Sequence, residues 1–180
     1  MKIETKRLVL REYCEEDAEA IIKGINNLNI SKYLLMVSYP YTIKDAKGWI
    51  NINLKEQKNK QRESFEFLIT LKENKKVIGG IGINVKKNQV ADIGYWLAEE
   101  YWRRGIVYEA CNGIINFGFD KLKLRKIVIP IFVGNIASNG LAKKLGAKLE
   151  GTFRKQCIAK ATGEVHDENV YGLLKEEWKK

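Results

Sequence analysis

Residues 92–110 constrain the fold of this chain most, because they predict a strand that runs into a helix through a basic turn. The segment reads DIGYWLAEEYWRRGIVYEA, with Gly105 directly before the helical pattern. The first N–H groups of a helix lack partners within the helix and lie at the positive end of its dipole. Arg103 and Arg104 add two permanent charges, and Gly105 lets an anion approach the backbone. This junction therefore suits the binding of a pyrophosphate.

A second signal is Asn135-Ile136-Ala137-Ser138, which lies between the strand-like run IVIPIFV and the helical run LAKKLGA. Taken alone, Asn135 predicts the N-cap of the following helix. Lys144, near the end of that helix, is either a solvated side chain or one that faces phosphates. Pro130 cannot donate to a strand ladder, so it belongs at an edge or at a break in pairing.

Composition excludes several classes of protein. The 180 residues suit one domain, and no apolar run approaches the roughly 20 residues that a membrane-spanning helix needs. The N-terminal MKIETKRLVLRE lacks an apolar signal core, so a cytoplasmic location is expected. Three scattered cysteines and one histidine argue against a disulfide framework, a metal site and a Ser-His-Asp triad. The net charge of +10 is spread along the chain and by itself specifies no nucleic-acid partner.

Hydrophobic periodicity predicts a mixed α/β or α+β domain with the order β-α-α-β-β-β-α-β-α-β-β. Helices are expected from residue 17, over 43–60 after a Thr42 N-cap, over 106–121 and over 136–145 before Gly146, with a break at 26–32. Seven strands are expected at 7–13, 65–71, 76–85, 90–97, 127–133, 147–158 and 164–174. Gly79, Gly80 and Gly82 predict a bulge or a close backbone approach in the third strand.

These motifs, in this order, resemble the GNAT N-acetyltransferases, and in particular their ribosomal-protein branch (RimJ/RimL-like). That branch typically reads Tyr-Trp-Gly-Lys-Gly-Tyr-Ala-Thr-Glu-Ala where this chain has YWRRGIVYEA at 101–110. The resemblance extends from ETKRLVLR at residues 4–11 to the ending HDENVYGLLKEEW at 166–178. It implies a single GNAT domain over residues 1–180, with a mostly antiparallel seven-stranded sheet and helices on both faces. It also implies an acyl-CoA cleft where the fourth and fifth strands splay apart.

By this resemblance, acetyl-CoA is the cosubstrate and no metal is needed. Two departures from the branch pattern concern the cofactor: Val107 replaces a small residue, and Tyr108 replaces a threonine that often meets phosphate. Backbone donation at residue 107 does not depend on the side chain and is kept. The residues implied to bind the cofactor are Tyr95, Trp96, Leu97, Arg103, Arg104, Gly105, Ile106, Val107, Tyr108, Asn135 and Lys144.

The resemblance also implies two catalytic roles. Ser138 would lie near the sulfur of acetyl-CoA and protonate the departing thiolate. An amine must lose a proton before it attacks, and Asp92 is the implied general base, directly or through water. The alternative for Asp92 is a carboxylate that pairs with a cation or attracts a cationic substrate.

Four residues are implied to line the acceptor pocket: Tyr33, Tyr39, His166 and Asp167. For His166, an ordinary hydrogen-bonded role beside a strand turn is the alternative, and the tyrosines could instead pack the loop.

The predicted function is transfer of an acetyl group to a primary amine by direct attack, with a ribosomal or other protein N-terminus as the acceptor. The alternatives are a small-molecule amine (a polyamine, aminoglycoside or amino acid), a longer acyl group, and a catalytically inactive module that binds RNA or protein. The resemblance allows a homodimer through the last strands. No membrane association is expected, and nucleic acid is not favoured as a partner.

Overall fold

Eight strands form one mixed sheet in the computed structural model, which describes residues 1–178. The strand order is β1-β2-β3-β4-β5-β6-β8-β7, and β5–β6 is the parallel pair in an otherwise antiparallel sheet. The strands are β1 Lys2–Glu4, β2 Leu8–Arg11, β3 Ser64–Leu71, β4 Val77–Lys86, β5 Val90–Leu97, β6 Lys126–Phe132, β7 Lys148–Ile158 and β8 Val165–Leu174. The predicted fold class, a mostly antiparallel sheet with helices on both faces, is confirmed.

The described part of the chain contains five α-helices between the strands: α1 Ala18–Ile25, α2 Leu28–Ser31, α3 Ile43–Lys58, α4 Ile106–Asp120 and α5 Ile136–Lys144. Thr42 caps α3 as predicted. Its hydroxyl accepts from the Asp45 backbone N–H, and the Asp45 carboxylate accepts from the Thr42 backbone N–H. Gly146 closes α5 with φ +85°, the left-handed conformation that a helix C-terminus favours.

The two faces of the sheet build two cores because side chains alternate along each strand. In β3, Phe67 and Ile69 are buried in the core beneath α4, whereas Leu68 packs in the core with α1 and α3. The alternation continues into β5, where Tyr95 packs on the α4 side and Trp96 on the α1 side.

Two short elements correct the sequence prediction. The sheet has eight strands rather than seven, because Lys2–Glu4 pairs with β2 through Ile3 and Leu10. Three edge residues are too few for a periodic signal. The expected break at 26–32 contains the single turn of α2, which Asn27 caps by accepting from Asn29 N. The other boundaries differ by only a few residues.

The glycine-rich strand behaves as predicted. The pairing of β3 with β4 shifts register between Ile69 and Thr70, at the residue before Gly79. A Cβ on Gly79 would lie 2.5 Å from Trp96 O, and one on Gly80 would overlap the Trp96 indole. These glycines therefore let β5 and the Trp96 side chain pack against β4.

Candidate active site

The central feature of the site is the gap where β5 and β6 part. Their pairing covers only three residues, ending at Asp92 opposite Val128. Pro130 follows on β6, where it still faces Val170 of β8 but where the described chain shows no pairing with β5. The edge of β5 from Ile93 onward therefore offers backbone groups to a ligand, as an unpaired strand edge does. The predicted splay between the fourth and fifth strands is present. These two strands are β5 and β6 in the structure, because β1 adds one strand at the start of the chain.

The basic turn lies at the end of this gap. Arg103 and Gly105 adopt left-handed φ values of +60° and +70°, and α4 starts at Ile106 with no side chain capping it. In the described chain, Glu109 N is the first amide of this helix to reach a backbone carbonyl, Gly105 O at 3.1 Å. The N–H groups before it are free to bind an anion, as in other helix starts that hold phosphate.

Hydrogen bonds from the segment between β1 and β2, called the N-terminal brace, fix this turn. Arg7 donates from Nη1 to Arg104 O at 3.0 Å and from Nε to Glu109 Oε2 at 2.6 Å. Thr5 Oγ1 donates to Glu109 Oε1 at 2.6 Å. Burial acts to raise the pKa of Glu109, but these hydrogen bonds outweigh it and leave the pKa below its usual value. Arg7 offsets the negative charge of Glu109. Arg103 and Arg104 therefore give the turn a net positive charge.

Helix α5 supplies the other wall. Asn135 caps it, with Oδ1 accepting from Ser138 N at 3.2 Å, so the simple N-cap interpretation of Asn135 holds. At the far end, the Lys144 ammonium lies 4.8 Å from the centre of the Tyr108 ring. Lys144 and Tyr108, implied as cofactor residues from separate motifs, are thus in contact at the start of α4.

Tyr95 and Ser138 meet across the gap. The Tyr95 hydroxyl is buried, and no residue among 1–178 lies in hydrogen-bonding geometry with it, although the Ser138 hydroxyl is close enough to influence its pKa. Burial raises the pKa of this phenol, Cys111 contributes to the rise, and the nearby Ser138 hydroxyl opposes it. A buried hydroxyl without a partner is rare in proteins and marks a place where a ligand could complete the hydrogen bonds.

On the opposite face of the sheet from α4, a cleft of about 790 Å³ lies where the strands part. Asp92 lines it and forms a 3.3 Å ion pair with Lys86. Glu168 also lines it and accepts from the Cys157 thiol at 3.2 Å. Burial, reinforced by Glu168, raises the pKa of Cys157 to about 11, so this thiol is not a ready nucleophile. The full lining is Leu35, Met36, Asp92, Val128, Pro130, Gln156, Cys157, Ile158, Lys160, Glu168 and Val170.

None of the four implied acceptor residues is among the residues that line this cleft. Tyr33 packs behind Cys157 with Phe132, and His166 stacks on Phe132 at 4.6 Å between ring centres. Asp167 accepts from the Lys155 backbone N–H at 2.7 Å. Tyr39 lines a different cavity, of about 930 Å³, beside α1 and the end of β5.

Sequence reasoning missed Glu66, which lies in β3 on the same sheet face as Asp92. Its carboxylate accepts a long hydrogen bond, 3.5 Å, from Asn84 Nδ2. Burial raises its pKa to about 7, and the charge of Asp92 adds to the rise. No motif marks Glu66, because it is the polar member of an ordinary alternating strand.

Residues 1–178 contain no group of three or more His, Cys, Asp or Glu side chains placed to hold a metal ion. None of the helices in this part of the chain has the length and apolar character required to cross a bilayer.

Residues 7–148 match the sequence profile of the acetyltransferase (GNAT) domain. The chain belongs to the GNAT acetyltransferase family. Among its relatives, the uncharacterised N-acetyltransferase YnaD of Bacillus subtilis (strain 168) is 32% identical over 179 residues, covering 99% of each chain. The ribosomal-protein-serine acetyltransferase of Escherichia coli (strain K12) is 32% identical over 117 residues, covering 63% of each chain.

A solved GNAT structure shares the whole architecture. The microcin C7 self-immunity acetyltransferase MccE, in complex with acetyl-CoA and AMP, superposes with a TM-score of 0.82 and 27% identity, covering 94% of this chain and 93% of that one. Membership in this family and the activity of its named relatives make this GNAT protein an acyltransferase. The predicted kinship with ribosomal-protein acetyltransferases is likewise confirmed.

Proposed function

We propose that this enzyme transfers the acetyl group of acetyl-CoA to a primary amine by direct attack. The observation that carries the proposal is that the edge of β5, unpaired beyond Asp92, lies between the uncapped start of α4 and the cleft that Asp92 lines. The relative MccE binds acetyl-CoA within the same fold. The pyrophosphate would lie on residues 103–108 with Lys144 beside it, and the Asn135 side chain would meet the pantetheine arm.

The proposed chemistry uses groups at the point where the strands part. The amine lone pair forms the C–N bond at the thioester carbonyl, and the C–S bond breaks. Backbone N–H groups on the β5 edge stabilise the oxyanion, because preorganised donors act strongly in a dry site. Ser138 protonates the thiolate, with the Tyr95 hydroxyl beside it. Asp92 lies in the acceptor cleft, where a carboxylate attracts the ammonium and assists its deprotonation.

For the acceptor we propose a protein N-terminus. The support is the similarity to the ribosomal-protein-serine acetyltransferase of E. coli. A small cationic amine is the second candidate, favoured by the carboxylates of Asp92 and Glu168 in the cleft. The two acceptors differ in size, so a panel of short peptides with free N-termini and of polyamines, assayed by thiol release, separates them.

The first test is calorimetric titration with acetyl-CoA of the wild type, Gly105→Glu and Gly163→Glu. Gly163 is a matched control: its φ of +72° is close to that of Gly105, and open space surrounds it in the β7–β8 turn. Micromolar binding is expected for the wild type and for Gly163→Glu. A carboxylate at residue 105 repels the pyrophosphate, so affinity should fall about 100-fold or more. Absence of binding by the wild type at millimolar acetyl-CoA would refute the proposed function.

A further inference from the structure

Glu66 belongs to a row of three paired residues across the sheet, and the other two residues of the row are glycines. Glu66 on β3 is opposite Gly82 on β4, and Gly82 is opposite Gly94 on β5, so the three residues form one row. A Cβ added to Gly82 would overlap the Glu66 carboxylate, which therefore lies directly over that glycine. Gly94 is exposed, and a Cβ there would meet nothing within 4 Å.

This row ends at the gap between β5 and β6. Gly94 is the second residue of β5 after Asp92, where the pairing with β6 stops. Any side chain at positions 82 or 94 would fill the space between the Glu66 carboxylate and the opening strands. Because both positions are glycine, no side chain of the row stands between the Glu66 carboxylate and the edge of β5 at Gly94.

The polar surroundings of Glu66 differ from those of the other carboxylates on this face. Asp92 is paired with Lys86, and Glu168 accepts from Cys157, whereas no lysine or arginine among residues 1–178 lies within 4 Å of Glu66. Its hydrogen-bond partner is the neutral amide of Asn84. In the described chain the charge of Asp92 on β5 raises the pKa of Glu66. Tyr13, which precedes α1, is close enough for Glu66 to add to the rise that burial causes in the pKa of its phenol.

We infer that Glu66 accepts the proton that the acceptor amine must lose before it attacks the thioester, with the proton crossing the Gly82–Gly94 row. This inference rests on the proposed function. The ammonium loses two protons. One passes to the Glu66 carboxylate and frees the lone pair that forms the C–N bond. The other leaves as the C–S bond breaks and replaces the proton that Ser138 gives to the thiolate. Glu66 then releases its proton to solvent.

Glu66 suits this role better than Asp92 on physical grounds. A general base works best when its pKa lies near the working pH, and burial and Asp92 raise the pKa of Glu66 to about 7. Asp92 is held by an ion pair with Lys86 and contributes the negative charge that raises the proton affinity of Glu66. In this arrangement Asp92 attracts the ammonium and Glu66 takes its proton.

The test compares Glu66→Gln, Asp92→Asn and the control Glu63→Gln, which alters an exposed carboxylate three residues away. The kcat/KM for the best acceptor of the peptide and polyamine panel is measured from pH 5.5 to 9, and acetyl-CoA affinity is measured by calorimetry. The wild type and Glu63→Gln should show an inflection near pH 7. Glu66→Gln should lose that inflection and about 100-fold or more in kcat/KM, with acetyl-CoA affinity unchanged.

The conservative variant Glu66→Asp separates a proton-transfer role from a structural one. It should keep the inflection at a reduced rate, because the shorter carboxylate still titrates above the glycine row. An active wild type whose Glu66→Gln variant retains both rate and inflection would overturn this inference and leave the proposed function intact. The same holds if Asp92→Asn, rather than Glu66→Gln, removes the inflection. A wild type that binds no acetyl-CoA would overturn both.

Discussion

One buried amide, Asn139, joins α5 to β6 and β8. Its Nδ2 donates to Phe132 O at 3.1 Å and to Asn135 O at 2.8 Å. Its Oδ1 accepts from Asn169 Nδ2 at 2.8 Å and from the Tyr171 hydroxyl at 2.9 Å. Asn139 is only 8% exposed, so these four bonds are largely shielded from water. They fix α5, and with it Ser138, relative to β6 and β8.

Replacing Asn139 by leucine should lower the free energy of unfolding by about 2–4 kcal/mol. The substitution leaves the Tyr171 hydroxyl buried without a partner, which costs about 1–3 kcal/mol, and it also removes the bonds to Phe132 O, Asn135 O and the Asn169 amide. Urea unfolding measures the loss. The control is Asn51→Leu at an exposed position of α3, where a change within about 0.5 kcal/mol is expected. Equal effects at both positions would contradict the role assigned to Asn139.

Short motifs indicate the proposed site residues that lie close together in sequence, whereas they do not indicate those that strand pairing brings together. Arg103 to Tyr108 share one turn, and Asn135 and Ser138 share another, so short motifs indicate them. Glu66 comes to the same face as Asp92 only because β3, β4 and β5 pair in one particular register. A register is a long-range property, which a strand pattern alone does not specify.

Two helical glycines show how differently α3 and α4 pack. Gly118 of α4 lies against the sheet, and a Cβ there would come within 2.9 Å of Ile83 Cδ1 and 3.1 Å of Leu124 Cδ1. Gly48 of α3 is exposed, and a Cβ there would meet nothing within 4 Å. The same glycine-to-alanine change therefore tests close packing in one helix and backbone entropy in the other.

Gly48→Ala should raise the free energy of unfolding by about 0.5–1 kcal/mol, because alanine restricts the unfolded chain and suits a helix. Gly118→Ala gains the same propensity but forces buried side chains apart, which costs about 1–3 kcal/mol. It should therefore be neutral to destabilising by up to about 2 kcal/mol. Paired urea unfolding curves check the difference, and an equal increase in stability at both positions would rule out tight packing of α4 at Gly118.

Among the elements, the long periodic ones were predicted and the short ones were not. The helix after Thr42 and the strand at residues 90–97 were predicted at or near their observed bounds, because periodicity and caps reinforce each other there. β1 and α2 contain three and four residues, and tertiary contacts rather than local pattern form them. Edge pairing with β2 supplies those contacts for β1.

Across the whole molecule, ion pairs connect segments that lie far apart in sequence. The Arg7–Glu109 pair, 2.6 Å long, links the start of the chain to α4 across 102 residues. Glu109 is 16% exposed and also accepts from Thr5 Oγ1 and from the Arg7 backbone N–H. The same pair supports the turn that is proposed to hold the pyrophosphate, so the stability of the molecule and the geometry of the site depend on one carboxylate.

The carboxylate of Glu109 should make the free energy of unfolding depend on pH. The folded-state pKa of Glu109 is depressed below the ordinary value of 4.5, since hydrogen bonds from Thr5 and Arg7 outweigh the opposing effect of burial. A carboxyl with a depressed pKa stabilises the fold fully above its unfolded pKa, and this contribution is lost as the pH falls through the folded value. Glu109→Gln should therefore cost about 1–2 kcal/mol at pH 7 and progressively less below pH 4.5.

Urea unfolding of the wild type and Glu109→Gln between pH 3 and pH 7 measures that difference, with Glu73→Gln in the exposed β3–β4 turn as the control. The control should follow the wild type at every pH, because Glu73 is exposed to solvent and an exposed carboxyl contributes little. A gap between wild type and Glu109→Gln that stays constant from pH 7 to pH 3 would mean that shape, not charge, is what Glu109 contributes. A difference in free energy of unfolding that disappears on acidification would show that the ionised carboxylate of Glu109 provides the stabilisation.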